Sequence, residues 1–283
     1  MAFGWGVNLE ESYYYLLEED WGKRRPVRVV KAGTPGTGPG DQLRLLRAIG
    51  DRYRPQLVIL SLFVGNDFTD VQMGGLEQFQ VEDGLLVRKP LRPVTGVSAG
   101  AQKLLRRSHQ LQFLRALQLA WERRRQVAAA APHAALAAGD PWLLEFAKVH
   151  LREHPPEVAR AVDETLGILD KFRNVCREHG ADLVLMVIPR SYQIYPEERQ
   201  ELQAAFRIAD QDLDLDHPQR LLRGWADRSG VAMLDLLEAL RRDQSQNPRR
   251  KLFYYSDAHM NPAGHKLVAE ALAAFLAEKG LPR

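Results

Sequence analysis

Residues 57–67 read LVILSLFVGND, and this stretch decides the fold. Its first six residues, 57–62, are apolar except for Ser61 and rich in Leu, Ile and Val. A strand covered on both faces of a parallel sheet has that composition. The run then changes to the short, polar sequence Gly65-Asn66-Asp67. Open α/β sheets bind ligands just beyond the carboxyl ends of such strands.

Working outward, three further runs read as buried strands: 27–31 (VRVVK), 183–188 (LVLMVI) and 231–235 (VAMLD). Helical patterns lie between them. Residues 41–52 put Leu43, Leu46 and Ile49 on one stripe. Residues 157–179 place Val158, Val162, Leu166, Leu169 and Phe172 at three- and four-residue spacing. Residues 262–279 start with Asn261 as N-cap and Pro262 at the first helical position, and stop at Gly280. Alternating strands and helices predict a three-layer α/β/α parallel sheet in one domain over residues 1–283.

Residues 71–156 break the alternation and read as a helical insertion. It opens on a turn-rich piece, 73–90, suited to a small hairpin. A basic helix over about 101–129 follows, carrying Arg106, Arg107, Arg115 and Arg123–Arg125. After an Ala-rich break comes another helix near 142–150. The insertion is expected to cover one end of the sheet. Its basic face could also touch a membrane or an anionic polymer.

Composition removes several classes. With 283 residues, 45% hydrophobic and 27% charged, the chain is neither disordered nor fibrous. The longest uncharged stretches, 126–139 and 55–66, fall short of the ~18 residues of a membrane-spanning helix. The start, MAFGWGVNLEESYYY, carries no signal-peptide pattern, so the sequence as given is expected in the cytoplasm, while a version starting further upstream could be exported or membrane-anchored. The lone Cys176 allows neither an internal disulfide nor a multi-cysteine zinc site, and reads as an inert buried thiol. A net charge of +3, from 39 basic and 36 acidic residues, gives no argument for nucleic acid.

Three pieces carry chemistry. Gly65-Asn66-Asp67 follows one strand, and 32–38 (AGTPGTG) follows the run 27–31. Asp257-Ala258-His259-Met260-Asn261-Pro262 leads into the last helix. Acyl transfer needs a base, a group that orients it, and donors aimed at the developing oxyanion. His259 can be the base and Asp257 its orienting acid. The Asn66 amide and the Gly36 backbone N–H can be the donors. Asp67 reads as a group that bonds loop backbone, and His265 as a structural histidine. Arg190, Tyr192 and Gln193, after the strand 183–188, are candidate substrate contacts, as is Trp5.

Together these motifs resemble the SGNH (GDSL-type) hydrolase family. Gly65-Asn66-Asp67 matches its third block, Gly36 its glycine block, and Asp257…His259 with NPAGHKLVAEAL its C-terminal block. The resemblance implies a flavodoxin-like sheet, a Ser–His–Asp mechanism, no metal and no cofactor. The implied substrate is a small acyl ester, with a carbohydrate-linked acetyl group as the guess by analogy. The family's opening strand and Gly-Asp-Ser block do not occur. Aligned on Phe3-Gly4, the expected serine falls just before Met1, as in a sequence truncated before that block. Ser12, Ser61, Ser191 and Ser256 are the candidate substitutes, each poorly placed. A start site set too late explains the gap, and a pseudo-enzyme is the alternative. The resemblance leaves three functions open: ester hydrolase, polysaccharide O-acetyltransferase partner, or catalytically dead binding or scaffold protein.

Overall fold

The computed structural model describes residues 4–23, 26–34, 36–71, 79–82, 85–88, 146–254 and 259–282, with backbone only for 79–88. Its sheet is built on β4 (Asp182–Ile188), which lies between β1 (Leu57–Phe63) and β5 (Ala232–Asp235). Both pairings are parallel, with Leu57 opposite Asp182, Phe63 opposite Ile188, and Val184 opposite Ala232. A separate antiparallel hairpin joins β2 (Phe79–Glu82) to β3 (Leu85–Arg88), where the turn-rich piece predicted one.

Strand β4 is buried from Leu183 through Ile188 because helices cover both of its faces. Its side chains alternate with the pleat. Leu183, Leu185 and Val187 join Leu60 and Leu62 in one core, under α2 (Pro39–Tyr53), α4 (Pro156–Glu178) and α6 (His217–Ser229). Val184, Met186 and Ile188 face the opposite core, with α1 (Tyr13–Gly22), α7 (Leu236–Gln246) and α8 (Pro262–Glu278). The result is the expected three-layer α/β/α arrangement. The short α3 (Asp67–Asp70) follows β1, and α5 (Pro196–Phe206) follows β4. Among the described residues no helix is long and apolar enough to cross a membrane.

Local signals explain the boundaries. Asn261 caps α8 by accepting from the Gly264 N–H at 3.1 Å, and Asp235 caps α7 by accepting from the Leu237 N–H at 3.0 Å. Buried Cys176 has its thiol pushed up to about 11 by burial, as an inert thiol requires.

One expected strand does not form. Residues 27–31 belong to no ladder, and Val30 stands 42% exposed. A strand exists only through a partner strand's N–H and C=O groups, and among the described residues no strand pairs with the VRVVK run. The basic helix expected over 101–129 lies outside the described residues. Of the helix expected near 142–150, residues 146–147 are helical and Lys148–His150 form a 3₁₀ turn.

Candidate functional site

The carboxyl ends of β1 and β4 lie side by side, with the Val64 N–H donating to the Ile188 carbonyl at 3.1 Å. Beyond β1 the chain turns through Gly65 into α3, whose N-cap is Asn66. Asp67 is 5% exposed and accepts from the Phe63 N–H at 2.8 Å, closing the turn onto the strand. It bonds backbone, as the sequence indicated. Burial pushes its carboxyl up to about 7, helped by the Asp70 charge and opposed by that hydrogen bond.

Asn66 is half-buried, and its amide donates to the Asp70 carboxylate. Burial raises Asp70 to about 6, with Asp41 adding to the rise and the Asn66 bond opposing it. At neutral pH Asp70 is therefore ionised, and it fixes the orientation of the Asn66 amide. One of the two amide N–H groups holds this anchor. The other is the one an oxyanion can use.

The glycine loop reaches the same place. A side chain on Gly38 would meet the Asp70 Cβ at 2.8 Å, so the loop packs directly on α3. Gly36, two residues earlier, is exposed, with open space where a side chain would stand. Asp70 and Gly38 belong to none of the roles that the sequence motifs assign. The spacing Asn66…Asp70, one helical turn, was the available signal for the first.

His259 arrives on another support. Residues 252–254 and 259–261 run antiparallel, pairing Phe253 with Met260, and the Tyr254 N–H donates to the His259 carbonyl at 3.0 Å. Asn261 ties this turn from below, donating to the Lys251 carbonyl at 2.7 Å while capping α8. The turn rests on the loop after β4, where the Tyr195 hydroxyl accepts from the Leu252 N–H at 2.7 Å. His259 thus lies at the same sheet end as Asn66. Asp257 and Ser256 lie outside the described residues.

Trp5 stands beside His259, with ring centroids 6.2 Å apart, and is 56% exposed. Its position is set by Gly6, whose carbonyl accepts from the Tyr254 hydroxyl at 2.5 Å. Gly6 has φ +85°, and a Cβ there would come within 2.9 Å of the Tyr254 ring. Only glycine lets this segment lie flat on Tyr254.

The three described candidate serines have other partners. Ser12 is fully buried and donates to the Leu9 carbonyl. Ser61 shares a 3.0 Å hydrogen bond with the Tyr13 hydroxyl, and Ser191 donates to Glu198. His265 accepts from the Tyr13 N–H at 3.3 Å, and burial holds its imidazole down at about 4. It joins α1 to α8. Gln193 is 3% exposed, and its side chain binds the Arg190 N–H, the Leu215 carbonyl and Gln219. That side chain holds the loop after β4 in shape. Arg190 and Tyr192 are 9% and 4% exposed and lie against each other.

Residues 136–283 match the family described as SGNH hydrolase-like domain, acetyltransferase AlgX, which is just over half of the chain. The chain belongs to this SGNH hydrolase-like family. The matched part of the SGNH domain includes His259, Asp257 and Arg190, while Asn66 and Gly36 lie before it. Neither the curated proteins nor the solved structures gave a match.

Proposed function

We propose that this SGNH domain holds an acyl-ester site at the carboxyl end of its sheet, with a small acetyl ester as substrate, in hydrolysis or in transfer to a carbohydrate. His259 serves as the base and Asp257 as its orienting acid. Asn66 and the Gly36 N–H receive the oxyanion, and Trp5 forms a wall beside the base. The carrying observation is the Asn66–Asp70 bond, which holds an uncharged donor at the same sheet end as His259. A fixed donor of this kind contributes about 3 kcal/mol to acyl-transfer transition states. No cofactor or metal enters the reading.

The partners of Ser12, Ser61 and Ser191 favour a second reading, in which the chain as given binds the ester without turning it over. p-Nitrophenyl acetate separates the two. Hydrolysis that disappears in His259→Ala supports catalysis. For the second reading, the expected result is no turnover, with Trp5 fluorescence still quenched by an acetylated saccharide and unquenched in Trp5→Ala. Neither turnover nor quenching defeats both readings.

A further inference from the structure

Among the described residues, Arg190 is a buried cation without a counter-charge. It follows β4, is 9% exposed, and forms no ion pair with any carboxylate among the described residues. Three aromatic rings surround its guanidinium carbon: Phe63 at 5.5 Å, Phe146 at 5.6 Å and Tyr192 at 5.7 Å. Its Nε is buried and makes no hydrogen bond. The His150 Nε2, in the same neighbourhood, is also buried and unpartnered, and the buried Tyr192 hydroxyl has the Arg190 side chain as its neighbour.

The surroundings hold this group in place. The Arg190 N–H donates to the Gln193 side chain at 2.8 Å, fixing the turn that carries it. Gly65 supplies the floor: a Cβ there would lie 2.8 Å from the Arg190 Cδ and 2.4 Å from the Phe63 ring. The guanidinium stem therefore lies on the turn that leads into Asn66. His150 adds no second charge. Its Nδ1 bonds the Leu215 carbonyl at 3.0 Å, so that nitrogen carries the proton. Burial, with Arg190 beside it, keeps the ring neutral.

Buried charges in proteins are normally paired, because an isolated ion loses its hydration without recompense. Guanidinium is weakly hydrated, lies well against aromatic faces, and presents a fork that fits carboxylate and phosphate oxygens. We infer that Arg190, with the Tyr192 hydroxyl, forms a binding site for a single oxyanion group, the carboxylate or phosphate of a ligand, next to the Gly65–Asn66 turn, while the unprotonated His150 Nε2 can only accept and gives the anion no donor. This site stands whether or not the chain turns over an ester.

The test follows thermal unfolding of the whole chain at pH 7 in sodium acetate, sodium phosphate or sodium chloride at matched ionic strength. The expected result is a saturable rise in Tm of about 3–6 °C over chloride with acetate, with phosphate, or with both. The arm that responds tells carboxylate from phosphate. Arg190→Met should lose the saturable rise and melt in chloride within about 2 °C of the parent, since it removes an unpaired buried charge. Arg190→Lys keeps the charge and most of the stem but lacks the buried Nε, and should show a weaker rise. It carries the test if the methionine variant fails to fold. Equal, non-saturating responses in the parent and both variants would mean that only water meets these atoms, and would overturn the inference.

Discussion

Asp67→Asn should make this protein more stable at high pH and leave it nearly unchanged at low pH. The carboxyl is 5% exposed, accepts from the Phe63 N–H, and is pushed from 3.8 up to about 7. Between those values the folded chain holds a proton that the unfolded chain has released. Stability from this group is therefore complete below pH 3.8, falls as pH rises toward 7, and is level above it. About three pKa units at 1.36 kcal/mol each set a ceiling near 4 kcal/mol. Asparagine keeps an oxygen for the Phe63 N–H but never ionises. The expected gain at pH 8.5 is about 2–4 kcal/mol, shrinking to under about 0.5 kcal/mol at pH 4.5. Urea unfolding of both proteins at one-unit pH intervals measures it. His150 and His265, held down at about 3 and about 4, push the opposite way, but they act equally in both proteins and cancel in the difference. A difference that stays constant with pH, or a variant weaker at pH 8.5, would refute the reasoning.

Other consequences can be checked on the same protein. His265→Ala should cost about 1–3 kcal/mol at pH 7.5 by removing the acceptor for Tyr13. The loss should be smaller at pH 5, because the neutral buried imidazole already weakens the parent as pH falls below 6.5 toward 4. Gly264→Ala would put a Cβ 2.3 Å from the Leu252 carbonyl oxygen, so chemical denaturation should show a loss above about 2 kcal/mol and a displaced His259 turn. Leu185→Ala, at a fully buried position in the middle of β4, should cost about 2–5 kcal/mol in urea unfolding. Should the chain hydrolyse p-nitrophenyl acetate, Asp70→Ala would free the Asn66 amide and lower kcat by about tenfold or more, while Asp70→Asn would retain part of it.

The backbone plan was legible because both periodicities in the sequence are strong. The stripe from Val158 to Phe172 gave α4, and the apolar run 183–188 gave β4, each to within a residue or two. Asn261-Pro262 and Gly280 marked α8 because capping is local chemistry. The run 27–31 looked equally strand-like and failed. Apolar, β-branched composition states a preference, and only a partner strand turns it into a ladder.

By itself, then, the sequence determined the layers, the runs that become β1, β4 and β5, and a set of candidate residues for an acyl-ester site: Asn66, Gly36, Asp257 and His259. Only the tertiary structure decided what each of the described ones touches. It brought Trp5 to His259 across more than 250 residues, anchored Asn66 on Asp70, and gave Ser12, Ser61 and Ser191 other partners. It also set Arg190 among three rings, with no carboxylate paired to it among the described residues. Periodicity fixes which face of an element is buried. Contacts between residues far apart in the chain are set by how those faces pack, and no local pattern encodes them.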